Sequence, residues 1–199
     1  MDRDAIYQRA KQLMEKTLSH EGRERGYVLH HGLRVAELSL ALARCLDESV
    51  DEDALWAAAL FHDAGKGLEP HWYTGRGIVL EHLSGLTDSP AQLEKIAHLV
   101  RYHAKRSDPE VYSTELKLLQ DADVLDHRGA MHVWLAVGHG VEQGQRPEDI
   151  LVEWSRPERA ARREEFRQML HFEASRTEYE KRLAREAEFY RALAENCQK

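Results

Sequence analysis

Ala59-Leu60-Phe61-His62-Asp63-Ala64-Gly65-Lys66 closes an apolar run with two metal-binding side chains side by side. Neighbouring residues on a helix diverge by about 100°, so His62 and Asp63 can reach one ion only at a helix end or a tight turn. Gly65 predicts such an end, because glycine tolerates the positive φ that closes helices. Just upstream, Leu55, Ala58, Ala59 and His62 share one face of a helix capped by Asp51 or a neighbour. An isolated His-Asp pair is more often a helix cap than a metal site, so the rest of the chain has to supply partners.

Outward from this stretch, spacings of three and four recur and no long apolar-polar alternation appears, which predicts an all-α protein. Residues 4–18 form an amphipathic helix through Ile6, Ala10, Leu13, Met14 and Leu18, ended by a glycine-bearing loop over 19–26. A helix over 27–46 buries Val28, His31, Val35, Leu38, Leu42 and Cys45 and turns His30 toward a polar face. Residues 67–77 read as irregular, and a short helix after them aligns Ile78, Val79, His82 and Leu86. Ser89-Pro90-Ala91-Gln92 is a helix start, leading into a stripe of Leu93, Ile96, Val100 and His103 with His98 exposed.

Beyond a turn at 107–109, a helix carries Leu116, Leu119, Asp123 and Asp126 on one side, and periodicity does not separate Asp121 from Asp123. An apolar helix near 130–141 and a restart at Pro147 follow. From a capping box at Ser155, a charged helical stretch runs to about residue 194, with a break near 171–177. One domain, a single helical bundle, is expected, with an N-terminal helix over 1–24, a core over 25–130 and a helical extension over 131–199.

Four helical stripes thus deliver one histidine each, His31, His62, His82 and His103, where an apolar residue is due. One such histidine alone is usually a core residue bonded to a carbonyl. Four of them, with Asp63 and an acidic pair, are better explained by convergence on cations, because burying that much polarity unpaired costs several kcal/mol. Imidazole and carboxylate donors suit zinc, iron, manganese, nickel or cobalt, and no cysteine cluster points to structural zinc.

In this order and on a helical background, His31, His62-Asp63 and Asp123 resemble the H…HD…D motif of the HD superfamily of metal-dependent phosphohydrolases. His31-Gly32-Leu33-Arg34-Val35-Ala36 is similar to the family's first-histidine helix, and residues 59–66 to its HD-x-GK turn. Asp121-Ala122-Asp123-Val124-Leu125 resembles its last aspartate helix, which selects Asp123 as the ligand. The resemblance spans about residues 25–130. It implies one or two divalent transition-metal ions. In the fuller H…HD…H…H…D pattern Asp63 bridges two, the first bound also by His31, His62 and Asp123 and the second by His82 and His103. His71 and His98 are the alternatives to His82.

Two ions about 3.5–4 Å apart generate a hydroxide nucleophile and neutralise a phosphoryl group, so hydrolysis of a phosphoester or phosphoanhydride is the implied reaction. Lys66, three residues after Asp63, is the candidate to stabilise the transition state, and Arg34 is a weaker phosphate contact. The substrate implied by family analogy is a small phosphorylated metabolite, namely a nucleotide. Two other classes compete: a di-iron oxygenase, which uses the same ligand set, and a non-catalytic, metal-stabilised regulatory module.

The 199 residues carry a net charge of −7 with basic and acidic side chains interspersed, which argues against a polynucleotide face. The first ten residues lack the apolar core of a signal peptide, and no run approaches the ~18 apolar residues of a membrane span. A cytoplasmic protein without a membrane partner is expected. Self-pairing through the charged C-terminal helix is an open option. Cys45 and Cys197 read as two reduced thiols, the first in the core.

Overall fold

Every residue from Ala54 through Phe61 is buried, the environment that a helix apolar on all sides demands. The computed structural model describes residues 1–16, 25–107 and 112–197. Among them are ten helices and no strand: α1 Arg3–Met14, α2 Tyr27–Ala43, α3 Glu52–Phe61, α4 His71–His82, α5 Pro90–Tyr102, α6 Thr114–Asp126, α7 Ala130–Glu142, α8 Pro147–Trp154, α9 Pro157–Gln168 and α10 Glu173–Cys197. The chain divides into two compact units between Ala122 and Asp123, inside α6 and ahead of the boundary expected after residue 130. Leu18, most of the loop over 19–26 and most of the turn at 107–109 lie outside the described residues. No helix among the described residues is long and apolar enough to cross a membrane.

In the first unit α3 is the central rod, packed by α1, α2 and α5, while α4 lies on α5. Asp51 caps α3 as expected, its carboxylate accepting from Ala54 N at 2.9 Å. Lys95 of α5 bridges that carboxylate, at 3.4 Å, to Glu115 of α6, at 2.8 Å. Close approach of α2 and α3 depends on Gly32, where a Cβ would stand 2.4 Å from the Leu60 carbonyl oxygen. Ser89 caps α5 through Gln92 N at 3.2 Å, as its sequence predicts.

Three expectations need correction here. Helix α2 stops at Ala43, so Cys45 is exposed beyond its end instead of lying on the core stripe. Helix α4 begins at His71, well inside the stretch read as irregular. Its two glycines weaken the helical pattern, yet Gly75 is buried against Val100 and the backbone of Gly65. Gly65 itself does not have a positive φ. Its value is clearance, because a Cβ there would meet the His71 carbonyl oxygen at 2.3 Å and Gly75 N at 2.7 Å.

The second unit takes up the end of α6 and helices α7 to α10, with α7 and α8 packed on α10. Trp154 stacks on Tyr190 with ring centroids 4.2 Å apart. Buried Glu186 accepts from Gly129 N at 2.7 Å, and Arg182 Nη1 donates to the Leu125 carbonyl at 3.0 Å. The expected interruption of the charged stretch is present between α9 and α10. Ser155 ends α8 instead of capping α9, its hydroxyl donating back to Leu151 O at 2.8 Å, and Arg156 takes the N-cap position.

Gly32 of α2 and Gly77 of α4 give opposite predictions in urea unfolding. Gly32→Ala forces backbone apart and lowers stability by about 1–3 kcal/mol. Gly77→Ala, with nothing within 4 Å of the new Cβ, raises it by up to about 1 kcal/mol through helix propensity.

Candidate metal centre

His62 occupies the C-cap of α3, and Asp63 is the next residue into the turn, so the adjacent pair escapes the divergence that a continuous helix imposes. Both are buried, Asp63 being 4% exposed. His62 Nδ1 donates to the Ala59 carbonyl at 2.7 Å. A carbonyl only accepts, so Nδ1 is the donor and the neutral ring carries its lone pair on Nε2. His103, at the C-cap of α5, repeats the arrangement with the Val100 carbonyl at 2.8 Å.

His71 opens α4, where Glu69 Oε2 accepts from its backbone N at 3.1 Å and lies 3.3 Å from its Nδ1. These contacts, the backbone one first, hold the Glu69 carboxyl below its ordinary range. A carboxylate behind the ring is a recurrent way of orienting an imidazole toward a metal.

All three imidazoles turn Nε2 toward one carboxylate. Asp63 Oδ2 lies 3.8 Å from His62 Nε2, while Oδ1 lies 3.8 Å from His103 Nε2 and 3.9 Å from His71 Nε2. An ion about 2.1 Å from each donor fits such gaps, since two bond lengths together exceed them. His31, fully buried and stacked on Tyr27, meets the His62 ring edge-on at 4.9 Å. Donor atoms of His31, His62 and Asp63 lie within 4.8 Å of one another, and so do those of Asp63, His71 and His103. The two groups share Asp63 and divide its oxygens, a donor set that fits one or two divalent ions.

Of the residues singled out from sequence, His31, His62, Asp63 and His103 come together in the first unit. Lys66 joins them, its Nζ 2.7 Å from Asp63 Oδ2. Arg34 is half-buried on α2, three residues after His31. Asp123 belongs to the second unit and is half-buried, with its carbonyl accepting from His127 Nδ1 at 2.9 Å.

His82 is not in either donor group. It ends α4, eleven residues from His71, and a helix at 1.5 Å per residue separates the two by about 16 Å. Its Nε2 lies 3.9 Å from Glu81 instead. The place expected of His82 beside Asp63 is therefore filled by His71. The signal for it was the four-residue spacing of His71, Gly75, Val79 and Leu83, the last three all buried.

A family model described as HD domain matches residues 28–128. No curated protein matches the chain. Among solved structures, an HD-superfamily hydrolase from Bacillus thuringiensis is 20% identical, with 98% of this chain and 96% of that one covered and a TM-score of 0.71. Bacillus subtilis YpgQ in complex with ADP is 19% identical, with 96% and 97% covered and a TM-score of 0.67. These likenesses are of fold. With its helical architecture, the convergence on Asp63 and a match over half its length, the chain belongs to the HD domain family.

Proposed function

We propose that the chain is a metal-dependent phosphohydrolase, cleaving a phosphoester or phosphoanhydride bond of a small phosphorylated metabolite, a nucleotide, in the cytoplasm. The observation that carries this reading is the convergence of His62, His71 and His103 Nε2 on the two oxygens of Asp63. Each ring has its other nitrogen against an acceptor, which orients it as a metal ligand is oriented, and it is the convergence of three such rings on one carboxylate that a lone core histidine does not account for.

In this reading His31, His62, Asp63 and Asp123 hold one divalent ion, and Asp63, His71 and His103 hold a second. Such ions, when bound, supply charge neutralisation for a phosphoryl group and acidify water at neutral pH. Asp63 ties the two positions together because its oxygens face different imidazoles. Lys66, a half-buried ammonium beside Asp63, faces the same place and stabilises negative charge that grows on phosphoryl oxygens as a bond breaks. Arg34 is the second cation assigned to the substrate phosphate. Bonds from Nδ1 of His62 and His103 to the Ala59 and Val100 carbonyls keep Nε2 of the neutral rings for coordination.

Asp63→Ala removes the shared donor from both groups at once. Metal analysis should then find less than about a tenth of the wild-type content. A phosphate-release screen over mono-, di-, cyclic and dinucleoside phosphates, run with manganese, iron, nickel and cobalt, should show at least about a thousandfold loss. Helical circular dichroism should be unchanged. Full turnover by Asp63→Ala, or oxygen consumption without phosphate release by wild type, would remove the phosphohydrolase reading.

The two ends of α4 give a separate check. His71→Ala should weaken metal binding at least about tenfold, whereas His82→Ala should leave metal content at the wild-type value. The reverse order would return the second ion to His82.

A further inference from the structure

Within the second unit, helices α7 to α10 and the segment before α7 line a cavity of about 630 Å³, the size of a small-ligand site. Arg128, Arg159, Arg162 and Arg163 line it, against a single acidic residue, Glu153. That carboxylate is already committed, to Arg159 at 2.8 Å and to Arg156 at 3.0 Å. Among the described residues the guanidinium groups of Arg128, Arg162 and Arg163 have no carboxylate partner. In a chain of net charge −7, three unmatched cations around one cavity are not explained by composition.

Arg128 is the most telling of them. It is 8% exposed, and its buried Nε meets no hydrogen-bond acceptor. A charge so withdrawn from water is costly until an anion meets it. Glu186, the buried acid that feels Arg128, accepts from Gly129 N, and burial pushes its carboxyl up to about 7. At neutral pH it therefore balances only part of that charge. Burial first, and then the charges of Arg128, Arg159 and Arg163, push His132 in the cavity wall down to about 4.

Trp154, Phe166 and Tyr190 bring aromatic rings to a wall shared with Leu135, Ala136 and Ile150. Arg128 lies over Phe166 at 4.5 Å and Arg163 over Trp154 at 4.3 Å, and Trp154 is stacked on Tyr190. Planar guanidinium groups beside flat apolar rings suit a ligand that carries both phosphate and a ring.

We propose that this cavity binds a nucleoside phosphate, with its phosphate oxygens on the Arg128, Arg162 and Arg163 guanidinium groups and its base against the wall of Trp154, Phe166 and Tyr190. The assignment concerns the second unit alone and does not depend on the metal reading.

Calorimetric titration of the full chain in EDTA tests it, with ADP, pyrophosphate and adenosine as probes. ADP should bind wild type and Asp63→Ala alike, and more tightly than pyrophosphate or adenosine. Arg162→Gln and Arg163→Gln should each weaken ADP about tenfold or more, the loss of a charge-assisted hydrogen bond. Arg128→Gln should do the same where circular dichroism shows it folded, and exposed Arg162 serves the test if it does not fold. ADP affinity unchanged in the Arg162→Gln, Arg163→Gln double variant would overturn the assignment. So would ADP binding that disappears in Asp63→Ala, or pyrophosphate binding as tightly as ADP.

Discussion

The carboxylate of Asp63 sits almost out of reach of water, where an isolated negative charge is not tolerated without compensation. Lys66 provides one cation at 2.7 Å, but three imidazole nitrogens also approach it, and the neutral rings of His62 and His103, donating from Nδ1 to carbonyls, turn lone pairs toward it. Lone pairs facing a carboxylate repel unless a cation stands between them. That electrostatic demand is the constraint that the rest of the first unit serves, and it explains why so much polar chemistry is placed at the ends of otherwise apolar helices.

Helix ends do the positioning. His62 and His103 both occupy C-caps, and each ring folds back on a carbonyl three residues earlier that the helix leaves available. The first turn of α4 can approach only because Gly65 has no side chain at its closest point to His71. Gly32 likewise lets α2 close on α3, which carries His31 to the His62 ring. The fully buried α3 is the rigid reference against which these distances are held, as a site tolerant of about 0.5 Å error requires.

Much of this was legible in the residue pattern, and the failures have physical causes. The stripe of α2 separates buried His31 from exposed His30, and that of α5 separates buried His103 from exposed His98, because a 3.6-residue period discriminates sharply between adjacent positions. Asp51 and Ser89 cap their helices because their side chains satisfy free N–H groups wherever a helix starts. His71 was obscured by Gly75 and Gly77, which look like loop residues in one dimension and become packing surface in three. Gly65 suggests a positive φ in one dimension, whereas in the fold it provides clearance for the backbone of α4. Cys45 shows the usual error of running a periodic stripe past a helix end. The arginine-lined cavity left no trace in the pattern, since charges four apart on α9 read as a solvated face until the folded unit shows which carboxylates are missing.

The most direct measurement is anomalous scattering from crystals grown with manganese. Two peaks should flank the Asp63 carboxylate, one bonded to Nε2 of His62 and to His31, the other to Nε2 of His71 and His103. Manganese bound elsewhere, or none at Asp63 while the three Nε2 atoms contact only protein, would contradict the metal centre and the chemistry assigned to it.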